Sequence, residues 1–207
     1  MEYIENDVEL KYYLCGLIAS DGCLWKKAPI IEIGLQRGDK DVLEAIYTRL
    51  PIGAKMYYPP NKNIVKLHIR CIPFYEWLVS IGITPHKSAF MKIDFSQIPD
   101  AYFFHFLRGY IDGDGSVRKM SENHARLTVT GNEDTMYKIW DKVKSLCGIS
   151  GGLFAVKTEA NFQMYKLAYQ KKASVVSLLE LMYINATLYL QRKFKISNSI
   201  CAVLPSN

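Results

Sequence analysis

Two short stretches of this chain share one layout: "LCGLIASDGCL", residues 14–24, and "LRGYIDGDGSV", residues 107–117. In each, an apolar run with helical character ends on an aspartate, Asp21 or Asp114, followed by glycine. A carboxylate is out of place there, because the end of a helix already carries the negative pole of the backbone dipole. Two such groups brought together repel, and one of them tends to stay protonated. A divalent cation removes the conflict, since Mg²⁺ and Ca²⁺ seek hard oxygen ligands at high negative charge density. The chemistry to expect of Asp21 and Asp114 is shared metal binding, with backbone carbonyls of Ser20 and Gly113 as additional ligands. Paired metals about 3.5–4 Å apart can serve the attacking and the leaving oxygen of an in-line phosphodiester displacement.

Simpler readings fit the residues less well. A calcium-binding loop starting at Asp112 would need glycine where Val117 stands and glutamate where Asn123 stands. A phosphate cradle belongs at the start of a helix, not at its end. His86, His105 and His124 show no ligand spacing.

The elements that must bring the aspartates together are the two helices. Each has two small residues four apart, Gly16 with Ser20 and Gly109 with Gly113, which leaves one turn-spaced face almost bare. Glycine inside a helix costs roughly 0.5–1 kcal/mol against alanine, so it calls for a reason. Close approach of another backbone is such a reason. Leu14, Leu17 and Ile18, and likewise Leu107, Tyr110 and Ile111, flank the bare faces at core-facing spacing. Helices crossing on Gly16, Ser20, Gly109 and Gly113 would set Asp21 beside Asp114.

Each helix also opens a longer repeat. The first block runs through "CLWKK", alternating "IIEIGLQ", helical "DKDVLEAIYTRL", alternating "NIVKLHIR" and helical "IPFYEWLVSIG". The second runs through "SVRKM", "ARLTVT", "NEDTMYKIWDKVKSL", "FQMYKLAYQ" and "ASVVSLLELMY". Between them "SQIPD", residues 96–100, carries proline and turn formers. The reading is an α+β chain of two pseudo-symmetric αββαββα halves, residues 7–96 and 101–200, with antiparallel sheets.

Composition agrees with a globular protein. The 207 residues are 49% apolar, enough for one substantial core or two small halves sharing one. No apolar run approaches the roughly 20 residues of a membrane span, and the acidic opening "MEYIENDVELK" does not resemble a signal peptide. Five scattered cysteines without a CxxC pair argue against a disulfide framework and a zinc site. They point to a reducing intracellular compartment. A net charge of +6 favours a polyanionic partner without identifying it.

The strands carry an argument of their own. In "NIVKLHIR", Lys66, His68 and Arg70 share one face and Val65, Leu67 and Ile69 the other. The repeat has Lys166, Ala168 and Gln170 in that register, and Arg126, Thr128 and Thr130 alternate with Leu127 and Val129. Trp25 and Lys27 take a comparable outer face after the first motif; Glu32, Gln36, Arg37 and Arg118 complete the set. Such faces are often merely solvated. Four with the same mixture of Arg, Lys, Gln, Thr and His suit a ribbon that reads base edges in the DNA major groove.

Together, "LCGLIASDG" and "LRGYIDGDG", about 93 residues apart, resemble the two copies of the motif that names the LAGLIDADG homing endonucleases of the single-chain, two-motif kind. The resemblance implies a DNA-binding saddle of two antiparallel sheets, motif helices at the interface of the halves, and a monomer. It implies a site-specific double-stranded DNA endonuclease that leaves short 3′ overhangs on a long target site. Mg²⁺ at Asp21 and Asp114 would be the cofactor, with Ca²⁺ occupying the site without supporting cleavage. The family lysine after the second hairpin of each half matches Lys87 and Lys193, and its Gln-basic pair matches Gln36 and Arg37. The second half has Gly131 and Asn132 there, and the first motif has Ala19 where the second has Asp112.

Two alternatives use the same scaffold: an RNA-binding maturase or splicing helper, expected to carry an extra basic patch away from the sheets, and a catalytically silent DNA-binding regulator. Retention of both aspartates speaks against the second. The first and last residues, "MEY" and "PSN", show no splice-junction chemistry, so a free-standing protein is expected rather than an intein. The compartment would be one with access to DNA: the cytoplasm of a bacterium or phage-infected cell, or an organelle.

Overall fold

The computed structural model describes residues 3–50, 52–85, 91–157 and 163–202. A short helix α1 (Tyr3–Asn6) precedes the first motif helix α2 (Val8–Asp21). Asp7 caps α2, its carboxylate accepting from the Leu10 N–H at 3.0 Å. Then come β1 (Gly22–Leu24), β2 (Ile31–Gln36), α3 (Lys40–Thr48), β3 (Ala54–Tyr57), β4 (Ile64–Ile69) and α4 (Ile72–Ser80). The order repeats with the second motif helix α5 (Phe103–Asp114), β5 (Gly115–Lys119), β6 (Ala125–Gly131), α6 (Glu133–Cys147), β7 (Gly152–Lys157), β8 (Gln163–Tyr169) and α7 (Lys172–Tyr183), and ends in α8 (Gln191–Cys201). Among the described residues no helix is long and apolar enough to cross a membrane.

The strands form two antiparallel four-stranded sheets of identical order, β1-β2-β4-β3 and β5-β6-β8-β7. Alternation decides their inner faces: Val65, Leu67 and Ile69 are buried in the first, Leu127, Val129 and Leu167 in the second. The α+β repeat expected from the sequence is present. Strands β3 and β7 and helix α8 are additions to the runs quoted above, and β1 stops at Leu24, short of "CLWKK". Trp25 and Lys27 therefore lie beyond the strand, in the turn closed by the Trp25 N–H to Ile30 carbonyl bond. Pro29 in that turn cannot supply a ladder hydrogen bond.

Helices α2 and α5 pack on each other more extensively than any other pair of helices. A β-carbon at Gly16 would lie 2.0 Å from the Phe106 carbonyl oxygen, and one at Gly109 would lie 2.1 Å from that of Tyr13. The two contacts are mirror partners under the internal repeat, so the helices meet as a self-complementary pair. No residue larger than glycine fits without parting the backbones.

A polar network fastens this crossing to the C-terminal segment. Arg108, almost fully buried, donates to the carbonyls of Leu188 (2.8 Å) and Met182 and pairs with Glu9 at 2.7 Å. The Glu9 carboxylate also accepts from Thr187, from the Leu188 N–H at 3.1 Å, and from Arg49 at 3.2 Å. Burial pushes the Glu9 carboxyl up, but hydrogen bonds from Thr187 and Leu188 and the Arg108 charge outweigh it and hold it below the usual glutamate value. A carboxyl depressed in the folded state contributes stability that is present above its unfolded value and lost as pH falls through the folded one.

Two outcomes follow. Gly16→Ala and Gly109→Ala should each cost about 3 kcal/mol or more in thermal unfolding, because neither backbone can retreat. Gly38→Ala, whose β-carbon meets nothing within 4 Å, should be close to neutral. Acid titration of the Tm should show wild type losing stability as pH drops below the ordinary glutamate range, and Glu9→Gln should flatten that dependence. An unchanged acid limb in Glu9→Gln would remove Glu9 from the account.

Candidate metal centre and nucleic-acid interface

The two aspartates occupy matching places at the C-terminal ends of the crossed helices. Each is the last helical residue, each is exposed, and each is followed at once by a strand, with no intervening loop. The junction needs glycine: a β-carbon at Gly22 would meet the Ile18 Cα at 2.7 Å, and one at Gly115 would meet the Ile111 Cα at 2.7 Å. The helix ends also touch. A β-carbon at Gly113 would sit 2.0 Å from Ser20 Oγ and 3.1 Å from Asp21 Cβ, so Asp21 packs against the residue that precedes Asp114. Ser20 Oγ turns back to donate to the carbonyls of Gly16 and Leu17, each at 3.1 Å. The Asp114 charge is felt at Tyr110, whose phenol is pushed up first by burial and then by that carboxylate.

Among the described residues no cluster of three His, Cys, Asp or Glu could enclose a metal ion. The donor set available is Asp21, Asp114 and the carbonyls of the two helix ends, including those of Ser20 and Gly113. That set suits Mg²⁺, which commonly uses one or two carboxylates and takes its remaining ligands from water and substrate phosphates.

Lys193 has a different place from the one expected of a group assisting turnover. Its side chain is buried, and its ammonium donates to three backbone carbonyls at the end of α5, those of Ile111, Asp112 (2.8 Å) and Gly115 (2.8 Å). A lysine has three N–H donors and all are used, leaving none for a phosphate. It acts as a cation at a helix C-terminus, where the dipole favours positive charge. Burial lowers its pKa to about 8, against the opposing pull of Asp112, Asp39 and Asp114. Lys87 lies outside the described residues.

Asp112, where the first motif has Ala19, is buried and structural. Its carboxylate accepts from Tyr13 Oη across the helix crossing at 2.8 Å and from the Leu190 N–H at 2.9 Å. Burial raises its pKa, opposed by Lys193 and these hydrogen bonds. Gln36 is exposed at the end of β2, and the neighbouring Arg37 donates to the Pro59 carbonyl at 3.1 Å. Sheet register aligns Gly22 with Ile33 and Gly115 with Val129, so Asn132, and not Gly131, is the counterpart of Gln36. Asn132 is buried, caps α6 through Thr135 N–H and donates to the Met91 carbonyl. Gly131 lies under Tyr110, whose hydroxyl would be 2.5 Å from a β-carbon there.

The strand faces fall as the alternation predicts. On the first sheet Glu32, Lys66 and His68 stand together on the partly exposed face, with Arg70 exposed at the strand end. On the second, a groove of about 370 Å³ starts at Asp114 and passes Ser116, Arg118, Arg126, Thr128, Thr130, Lys166, Ala168 and Gln170. Phe154, exposed on its wall, was not legible because β7 escaped the strand reading; Lys55 and Tyr57 on β3 were missed likewise.

Lys193→Met, which keeps the length and removes the donors, should lower stability by roughly 2–4 kcal/mol, since three carbonyls lose a charged partner. Thermal unfolding measures it. A loss below about 0.5 kcal/mol, the scale of an ordinary surface substitution, would contradict the capping role.

No protein-family model and no curated protein matches this chain. Solved structures do. Full-length DUF199/WhiA from Thermatoga maritima superposes with a TM-score of 0.62 at 18% identity over 97% of this chain, which spans 64% of that protein. The I-LtrWI LAGLIDADG homing endonuclease bound to its target DNA gives 0.60 at 12% identity, covering 97% of this chain and 90% of that one. The meganuclease I-SmaMI bound to uncleaveable DNA gives 0.61 at 14% identity, covering 93% and 87%. At such identities the likeness is one of fold, and the same fold serves named endonucleases and WhiA. The chain therefore has the two-motif LAGLIDADG fold, with the motif helices crossed at its centre.

Proposed function

We propose that this chain is a monomeric, site-specific double-stranded DNA endonuclease that hydrolyses phosphodiester bonds with Mg²⁺ at Asp21 and Asp114, leaving short 3′ overhangs. The observation that carries the reading is the contact of Asp21 with Gly113, which sets the two exposed carboxylates at one junction. Two carboxylates gathered there, on top of two helix C-termini, concentrate negative charge that a divalent cation would relieve. Divalent metal bound between them would supply charge neutralisation at the attacking and leaving oxygens.

This chain's own residues would do the rest. Ser20 and Gly113 keep the helix ends narrow enough for both aspartates to approach one scissile region. Lys193 and the Asp112 clasp hold the end of α5 in place. The sheet faces would position the duplex through Arg118, Arg126 and Lys166 on phosphates and base edges, with Gln36, Thr128, Thr130 and Gln170 as neutral readers. A DNA-binding regulator without catalysis is the second reading, favoured by the shared fold of WhiA. A maturase would need basic surface elsewhere. The outer helix α6 offers mixed charge instead, with Lys138 paired to Asp134 and Lys142 to Asp100.

The test is cleavage of a randomised duplex library in Mg²⁺ followed by sequencing of the ends. Wild type should yield recurrent double-strand breaks with 3′ overhangs; Asp21→Asn and Asp114→Asn should yield none while still binding duplex in Ca²⁺. Sequence-selective binding without cleavage by wild type would establish the regulator instead.

A further inference from the structure

The two sheets treat their cations differently. Superposing them through their registers matches the row Cys23–Glu32–His68–Lys55 of the first with Ser116–Thr128–Ala168–Gly152 of the second. The row beside the second motif helix is small and uncharged, which leaves the groove open. The row beside the first is ionic.

At its centre stands Glu32. Lys66 Nζ donates to one carboxylate oxygen at 2.7 Å, and His68 Nε2 lies 2.7 Å from the other. The rings of Trp25 and Tyr57 pack on His68 at 5.2 and 4.3 Å between centroids, holding it against the carboxylate. Burial acts to raise the Glu32 carboxyl, but its bonds to Lys66 and His68 outweigh that and keep it ionised. In the second sheet Lys166 matches Lys66, and Arg118 stands directly opposite Arg126. None of the ion pairs among the described residues involves these three cations. Like charges directly opposed across a ladder are unfavourable without an anion to share.

We propose that Glu32 is a discrimination device in the first sheet. By engaging Lys66 and His68 it withholds them from DNA phosphates, so Lys166, Arg118 and Arg126 of the second sheet carry more of the sequence-independent affinity than the matching centre of the first. The first sheet then binds well only where the facing base offers the carboxylate a donor, such as the exocyclic amine of cytosine. A carboxylate that penalises every other sequence lowers non-specific affinity and widens the specificity ratio. This inference rests on the DNA-binding reading above.

The experiment is equilibrium binding of random-sequence duplex in Ca²⁺ across a salt series. Glu32→Gln should steepen the salt dependence by about 0.9, because one lysine is released to a phosphate, which near 0.15 M salt is roughly a fivefold gain in affinity. Lys166→Gln should flatten the dependence by about the same amount, while Lys66→Gln should leave it unchanged. Equal flattening by Lys66→Gln and Lys166→Gln, or a Glu32→Gln variant that binds no more tightly than wild type, would overturn the proposal and leave the DNA reading standing. Failure of wild type itself to bind duplex at low salt would overturn both.

Discussion

Everything in this structure depends on the contact of two helix backbones. Gly16 against the Phe106 carbonyl and Gly109 against that of Tyr13 let α2 and α5 approach as no pair of larger residues could. The cost is helix propensity at two positions. What it brings is geometry: the crossing fixes both helix ends at one place, so Asp21 and Asp114 stand at a shared edge from which two sheets diverge. The short passage from helix to strand at Gly22 and Gly115 ties each sheet's first strand to that edge. Site and binding surface are thus positioned by one interaction.

The pseudo-symmetry set up by this contact is broken where electrostatics requires it. Asp112 replaces Ala19 and clasps Tyr13 and Leu190, so the second motif helix is held by the C-terminal segment. Lys193, beneath the same helix end, offsets the negative carbonyls that Asp114 adds to. Glu9 and Arg108 extend the fastening across the crossing, and Arg192 pairs with Asp39 at 3.0 Å to bring α8 to the first half. A largely buried pair such as Glu9–Arg108 adds little net stability on its own, but removing one partner strands the other.

Much of this was legible in the residues. Small residues four apart announced the crossing, because only close approach excuses them, and period-two alternation in "NIVKLHIR" and "ARLTVT" announced the sheet faces. The αββαββα pattern counts β3 and β7, but their residues are not legible: the first is four residues long, and neither interrupts the chain with a clean alternation. Helix α8 hid behind its polar composition; its buried side is Lys193, Ser197 and Ile200, two of them hydrophilic. The sequence marks Lys193 as a candidate site residue but not as a buried one, since nothing in "LYLQRKF" signals three waiting carbonyls. The Gln36 counterpart was displaced by one residue, a shift that only sheet register can settle.

Mn²⁺ binding to the protein on random-sequence duplex, followed by electron paramagnetic resonance, tests the shared metal site most directly. Wild type should hold Mn²⁺, and removing either carboxylate, in Asp21→Asn or Asp114→Asn, should weaken it by about tenfold or more, since each ion depends on few protein ligands. Full Mn²⁺ binding in both variants would contradict the account.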